Sequence, residues 1–116
     1  MTISSIVSSL CAITPDRLVT NNELANIVDT SDAWIKERTG IEQRYFCSDL
    51  ETSSTLATRA AKLAIEKANI SANDIDLIIC ATSTPDRTFP ATATLIQEAL
   101  GIPVCIAFDI QAVCSG

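Results

Sequence analysis

The chain has 116 residues, 47% of them hydrophobic, with three glycines, four prolines and a formal net charge of −6. That size and apolar content fit one globular unit with a modest core, and they exclude a disordered or collagen-like chain. The acidic balance, with no basic run, argues against nucleic acid or an anionic membrane surface as a partner, and no apolar run reaches membrane-spanning length.

Residues 3–13 mix β-branched residues with serine and read as a strand that Pro15 ends. Asn21 or Asn22 can cap a short helix running to Val28. The next stretch, DTSDAWIKERTG (29–40), reads as a second short helix. Thr30 or Ser31 supplies its N-cap oxygen, Asp32 sits near the positive end of its dipole, and Gly40 stops it. Residues 41–47 read as a strand. Residues 52–69 form the clearest helix: Leu56, Ala60, Leu63, Ala64 and Ala68 recur at helical spacing, and Thr52 can cap it. An alanine-dominated stripe lets such a helix approach its neighbour closely. SAND (71–74) fits a capping box, with Ser71 as cap and Asp74 reaching back.

IDLIICAT (75–82) is a continuous apolar run, too short for a full helix, and reads as a strand covered on both faces. After the loop STPDRTF, Pro90 opens a helix that closes at Gly101, with Pro103 beyond it. VCIAFDI (104–110) is a second strand of the buried type. Strands alternating with helices predict an α/β layered fold with a mixed sheet. There is no internal repeat, low-complexity tract or linker.

The cysteines are Cys11, Cys47, Cys80, Cys105 and Cys114, with no C-x-x-C pair, and histidine is absent. Metal-ligand spacing is therefore missing, and an odd count argues against a disulfide framework. Free thiols in mostly apolar contexts predict a cytoplasmic protein. Residues 1–14 lack a basic segment and are rich in serine, which does not fit a signal peptide.

Cys114, in QAVCSG (111–116), follows a buried-type strand by a few residues. If a helix begins there, its positive end would favour the thiolate, and a strand that hands a nucleophile to a helix N-terminus is a recurrent active-site geometry. The competing role is packing, since free cysteine commonly acts as a small hydrophobe. Cys80 and Cys105, within buried-type strands, read as structural, as do Cys11 and Cys47.

Two stretches bear on that choice. DTSDAWIKERTGIEQR (29–44) resembles the signature of the β-ketoacyl-acyl-carrier-protein synthase III family, and AFDIQAVCSG (107–116) resembles its active-site cysteine segment. ATSTPDRTFPA (81–91) also fits, so the resemblance runs over essentially the whole chain in the family's order. The cysteine segment alone would indicate only the wider thiolase superfamily.

The resemblance implies a thiolase-like layered fold, of which this chain holds most of the first half. It implies that Cys114 accepts an acyl group from acyl-CoA, followed by condensation with malonyl-acyl-carrier protein to initiate fatty-acid synthesis. CoA enters as substrate, with no resident cofactor. The family's further catalytic His and Asn lie far downstream, so the 116 residues alone are expected to be inactive in condensation. Trp34 matches the tryptophan that stacks on the adenine of CoA, with Arg38 beside it one helical turn on. Both also fit a surface-helix anchor and a solvated cation. Thr30 and Thr39 are weaker candidates for contacts to CoA; helix capping and termination explain them equally. Phe89 matches a phenylalanine that lines the partner subunit's acyl pocket, and locally it could also staple the following helix. Strand 104–110 matches the family's interface strand and implies a two-fold homodimer. The family's first strand often carries glycines where this chain has Ser9 and Cys11, and Ser115 stands where alanine is common. Another thiolase-superfamily acyltransferase, of polyketide or quinolone type, and a non-catalytic fragment are the competing readings.

Overall fold

The structure is a computed structural model that describes residues 3–116. The chain divides into two compact units, one made of residues up to Ile13 together with Thr52–Gly116, the other of Thr14–Glu51.

The smaller unit is built on β1 (Arg17–Thr20) and β2 (Gln43–Phe46), which pair antiparallel with Leu18 opposite Tyr45 and Val19 opposite Arg44. β1 was not apparent in the sequence, because RLVT is only four residues long and follows Pro15 and Asp16. α1 (Asn21–Leu24) is capped by Thr20, whose hydroxyl accepts from the Glu23 N–H at 3.1 Å. The expected cap at Asn21 or Asn22 and the helix to Val28 are thus corrected. Asn21 is instead fully buried inside the unit, and the helix stops after one turn. α2 (Asp32–Thr39) follows the sequence reading closely. Ser31 is its N-cap, Asp32 lies in its first turn, and Gly40 ends it at φ 71°, a left-handed conformation that glycine adopts without strain. Val19 and Ile35 are the buried apolar residues here, a small core that leans on polar contacts.

In the larger unit, α3 (Ser53–Ala68) starts at a capping box formed by Thr52 and Thr55 and ends on Asn69 in the left-handed region. The SAND turn forms a second capping box, between Ser71 and Asp74. β3 (Leu77–Ala81) and β4 (Ile106–Ile110) run parallel, Ile79 opposite Phe108, and are joined through α4 (Thr92–Leu100). This is a βαβ unit, the connection that parallel pairing requires. α4 begins at Thr92 rather than at Pro90, with Ala91 as N-cap and Gly101 as its left-handed stop. α4 contributes the buried Ala93 and Ile96, and Ile102 just beyond it is buried too.

Two expectations fail here. Residues 3–13 form no strand. A strand requires a partner for its backbone, and none pairs with this segment among the described residues. It lies instead along α3, where the Ser9 hydroxyl donates to the Ala64 carbonyl at 2.7 Å and Lys67 Nζ to the Leu10 carbonyl at 3.2 Å. The strands of the parallel pair are covered on one face by the helices of this chain. Ile78, Cys80, Ala107 and Asp109 face the helices, whereas Leu77, Ile79, Ile106, Phe108 and Ile110 form an apolar plane that is open in this chain. A continuous apolar run encodes two apolar faces, but not whether something covers each. Parallel and antiparallel pairing both occur, in two separate two-stranded ladders rather than one mixed sheet.

Candidate active site

Cys114 stands beyond the carboxyl end of β4. After Ile110 the chain passes into a 3-10 turn, Val113–Ser115, closed by the Ser115 N–H on the Ala112 carbonyl at 2.9 Å. Val113 lies at φ 48°, a conformation that costs a β-branched residue about 1–3 kcal/mol. The turn is folded tightly on β3: a Cβ on Gly116 would sit 3.2 Å from the Ala81 Cβ. Glycine at 116 leaves room for this return. The result is a strained reversal that holds the Cys114 side chain exposed at the carboxyl ends of two parallel strands, the edge where α/β sheets bind ligands.

The other thiols sit differently. Cys11, Cys80 and Cys105 are half-buried and Cys47 is exposed at the end of β2. Burial pushes the Cys80 thiol pKa up, and the nearby carboxylates of Asp109 and Asp86 push it the same way. Cys80 therefore stays protonated and is a poor nucleophile.

On α2, Ile35 faces inward and Trp34 faces out, 52% exposed, with the Arg38 guanidinium carbon 4.7 Å from the indole centroid. The sequence spacing brings these two together as expected for i and i+4. Thr39 is occupied in ending the helix: its hydroxyl donates to the Ile35 carbonyl at 2.8 Å and accepts from the Ile41 N–H at 3.1 Å. Thr30 is not the N-cap; its hydroxyl oxygen is buried without a hydrogen-bond partner among the described residues. Phe89 is 86% exposed, so it does not act as a staple on α4.

Three polar positions organise these elements, in roles the sequence reading did not give them. Asn21 donates from its amide nitrogen to Asp32 Oδ1 at 2.9 Å and to the Ile41 carbonyl at 2.8 Å, and it accepts from Arg44 Nη2 at 2.6 Å. Asp86 accepts from the Ser54 N–H at 2.9 Å and the Ser54 hydroxyl at 2.5 Å, while the Ser53 hydroxyl donates to the Thr84 carbonyl at 2.6 Å. These bonds moor the loop that carries Phe89 to the start of α3. Partial burial alone would raise the Asp86 pKa, but the Ser54 and Thr52 side-chain bonds, the Ser54 N–H and the Arg87 charge outweigh it and lower it. Asp109 accepts from the Thr92 and Ala93 N–H groups at 2.7 and 2.8 Å. It thereby caps α4, whose own N-cap, Ala91, has no side-chain oxygen. An acidic residue inside an apolar strand run was the available signal, since a carboxylate there needs donors.

Among the described residues no group of His, Cys, Asp and Glu could hold a metal ion, and no helix is long and apolar enough to cross a membrane. No family model matches the chain. It is 65% identical over 102 residues to the β-ketoacyl-[acyl-carrier-protein] synthase III of Rhizorhabdus wittichii, an alignment that covers 88% of this chain and 32% of the relative. The crystal structure of the 3-oxoacyl-[acyl-carrier-protein] synthase III of Aquifex aeolicus superposes with a TM-score of 0.89 at 47% identity, over 93% of this chain and 35% of that one. The priming β-ketosynthase of the R1128 polyketide pathway superposes with a TM-score of 0.90 at 31% identity, over 95% of this chain and 33% of that one. The chain thus spans about a third of the length of the proteins it matches, and its fold is thiolase-like, as the sequence implied.

Proposed function

From a chain that belongs to the β-ketoacyl-acyl-carrier-protein synthase III family, we propose that it supplies the nucleophile and part of the CoA site of an acyl-CoA-primed condensing enzyme. The observation that carries this reading is the exposed Cys114 on the strained turn at the carboxyl end of β4. In the first half-reaction the Cys114 thiolate attacks the thioester carbonyl of acyl-CoA. A carbon–sulfur bond to Cys114 forms, the bond to CoA breaks, and CoA leaves as its thiolate. One thioester replaces another, so the step is close to thermoneutral and keeps the carbonyl reactive. In the second, malonyl-acyl-carrier protein loses carbon dioxide, and the carbanion attacks the acyl carbonyl and releases Cys114. Negative charge develops on the thioester oxygen, which requires preorganised donors. The chain contains no histidine, so the family's histidine donor is not among these residues, and the 116 residues alone do not condense.

Trp34 and Arg38 form a flat ring with a cation against it, a surface suited to a purine that carries phosphates. Thr30, whose hydroxyl has no hydrogen-bond partner among the described residues, is the better of the two threonines for a polar contact, since Thr39 is already committed. CoA is substrate here, and no resident cofactor takes part. Assembly as a two-fold homodimer through 104–110 is supported by β4, which pairs with β3 on one edge only among the described residues, and by the exposed Phe89 in the loop before α4. The protein acts in the cytoplasm, where free thiols persist.

Acetoacetyl-carrier-protein formation tests the reading. The enzyme completed to its relatives' length turns over and loses activity on Cys114→Ala, whereas purified residues 1–116 do not turn over. Robust turnover by the 116-residue chain, or by the Cys114→Ala enzyme, contradicts it. The likeness to a priming β-ketosynthase favours one second reading, a polyketide-type acyltransferase with the same cysteine and a different acceptor. Comparing malonyl-charged carrier proteins of the two kinds separates them.

A further inference from the structure

We propose that Asn21 is the positioning residue for the Trp34–Arg38 clamp, holding α2 at both of its ends through one buried carboxamide. The inference rests on the CoA reading for its functional consequence, and on geometry alone for the positioning.

Asn21 is fully buried. One amide hydrogen goes to Asp32 Oδ1, at the residue that opens α2, and the other to the carbonyl of Ile41, one residue beyond the Gly40 stop. Both partners only accept. The third partner, Arg44 Nη2, only donates, and it meets the Asn21 oxygen at 2.6 Å. The amide can therefore sit one way round only. Arg44 is itself tied to β1 through the Val19 carbonyl at 3.3 Å. The connection runs from the ladder, through Asn21, to the first residue of α2 and to the segment just past its last.

That connection matters because α2 has little else to fix it. It is eight residues long and buries only Ile35. One apolar anchor at the middle of a two-turn helix leaves it free to rotate about that point. Contacts at both ends remove this freedom, and rotation is the motion that would misdirect Trp34 and Arg38 on the outer face. A recognition pair needs its geometry held by a supporting shell. Serine, threonine or aspartate could not replace Asn21, since none of them offers two donors and an acceptor in one plane.

Trp34 is the only tryptophan in the chain, so its fluorescence reports the clamp directly. The test compares the protein with Asn21→Leu, Asp32→Ala and Asp32→Asn, and with Val19→Ala as a control that removes buried volume from the same unit without touching the Asn21 bonds. Asn21→Leu is expected to change the Trp34 emission and raise its iodide quenching, and to weaken CoA binding about tenfold, the effect of one charge-assisted hydrogen bond. Should Asn21→Leu fail to fold, Asp32→Ala, at a half-exposed position, is expected to give the same changes, and Asp32→Asn, which keeps an acceptor oxygen, to reverse most of them. Val19→Ala is expected to lower stability while leaving both readouts unchanged. Folded Asn21→Leu or Asp32→Ala with wild-type quenching and affinity overturns the proposal, as does a Val19→Ala variant that loses affinity equally. If the quenching changes appear but the unaltered protein does not bind CoA, the positioning stands and the CoA reading fails.

Discussion

The guanidinium of Arg38 lies over the indole of Trp34, 4.7 Å from its centroid, on a helix that turns this pair outward and Ile35 inward. At an exposed site such a contact is worth about 0.5–1 kcal/mol, too little to hold the helix. On the proposed CoA reading, its value lies in presenting a ring and a cation already arranged for a ligand.

Trp34→Ala is therefore expected to weaken CoA binding by roughly 1–3 kcal/mol, the loss of one base-stacking platform, with little change in thermal stability because the ring is half-exposed. Arg38→Lys is expected to weaken binding as well, since an ammonium cannot lie flat on the ring. Isothermal titration checks both. Unchanged affinity in Trp34→Ala returns the residue to a packing role.

Asp109 supplies the N-cap that Ala91 cannot, with both carboxylate oxygens on backbone N–H groups of α4. Asp109→Ala leaves these two donors unpaired in a buried setting and is expected to destabilise the larger unit by about 2–3 kcal/mol. Asp109→Asn keeps one acceptor and should cost about half as much. Urea unfolding with an unchanged slope would show this as a shift in midpoint.

Asp86 gives a pH dependence whose sign follows from its lowered pKa. A carboxylate held below its ordinary value stabilises the fold above the unfolded-state pKa, near ~3.9, and loses that contribution as pH falls through the folded value. Mooring of the 82–90 loop is thus constant from neutrality down to about pH 5 and weakens below about pH 4. Hydrogen exchange at the Ser54 amide should accelerate over that acid range relative to neighbouring amides. In Asp86→Asn this acid-dependent component should be absent.

Thiol reactivity should separate the five cysteines. Cys114 and Cys47 are exposed, whereas Cys80 is half-buried with its pKa raised. Brief iodoacetamide treatment is expected to label Cys114 and Cys47 and to leave Cys80 unmodified, read by peptide mapping. Acetyl-CoA should protect Cys114 and not Cys47. Labelling spread evenly over all five would contradict the assignment.

Local signals were legible wherever a side chain meets its own backbone. Ser31, Gly40, Thr52, the Ser71–Asp74 box and Gly101 were all readable because a cap is specified within four residues. The Trp34–Arg38 pairing followed from helical spacing. What escaped is specified across the chain. β1 is too short for a periodicity, and the apolar run 75–82 could not reveal that one of its faces lies open. Asn21 looked like a helix cap because asparagine commonly is one, and only the arrival of Asp32, Ile41 and Arg44 makes it a buried junction. Asp86 and Asp109 are likewise caps for helices distant in sequence. The motif around Cys114 was visible, but the strained Val113 that turns the thiol outward was not.

Acetyl transfer from acetyl-CoA to the enzyme completed to its relatives' length, located by mass spectrometry, tests the role of Cys114 most directly. One hydroxylamine-labile acetyl group is expected on the peptide carrying Cys114, lost entirely in Cys114→Ala. An acetyl group on a different cysteine, or undiminished labelling in Cys114→Ala, would contradict it.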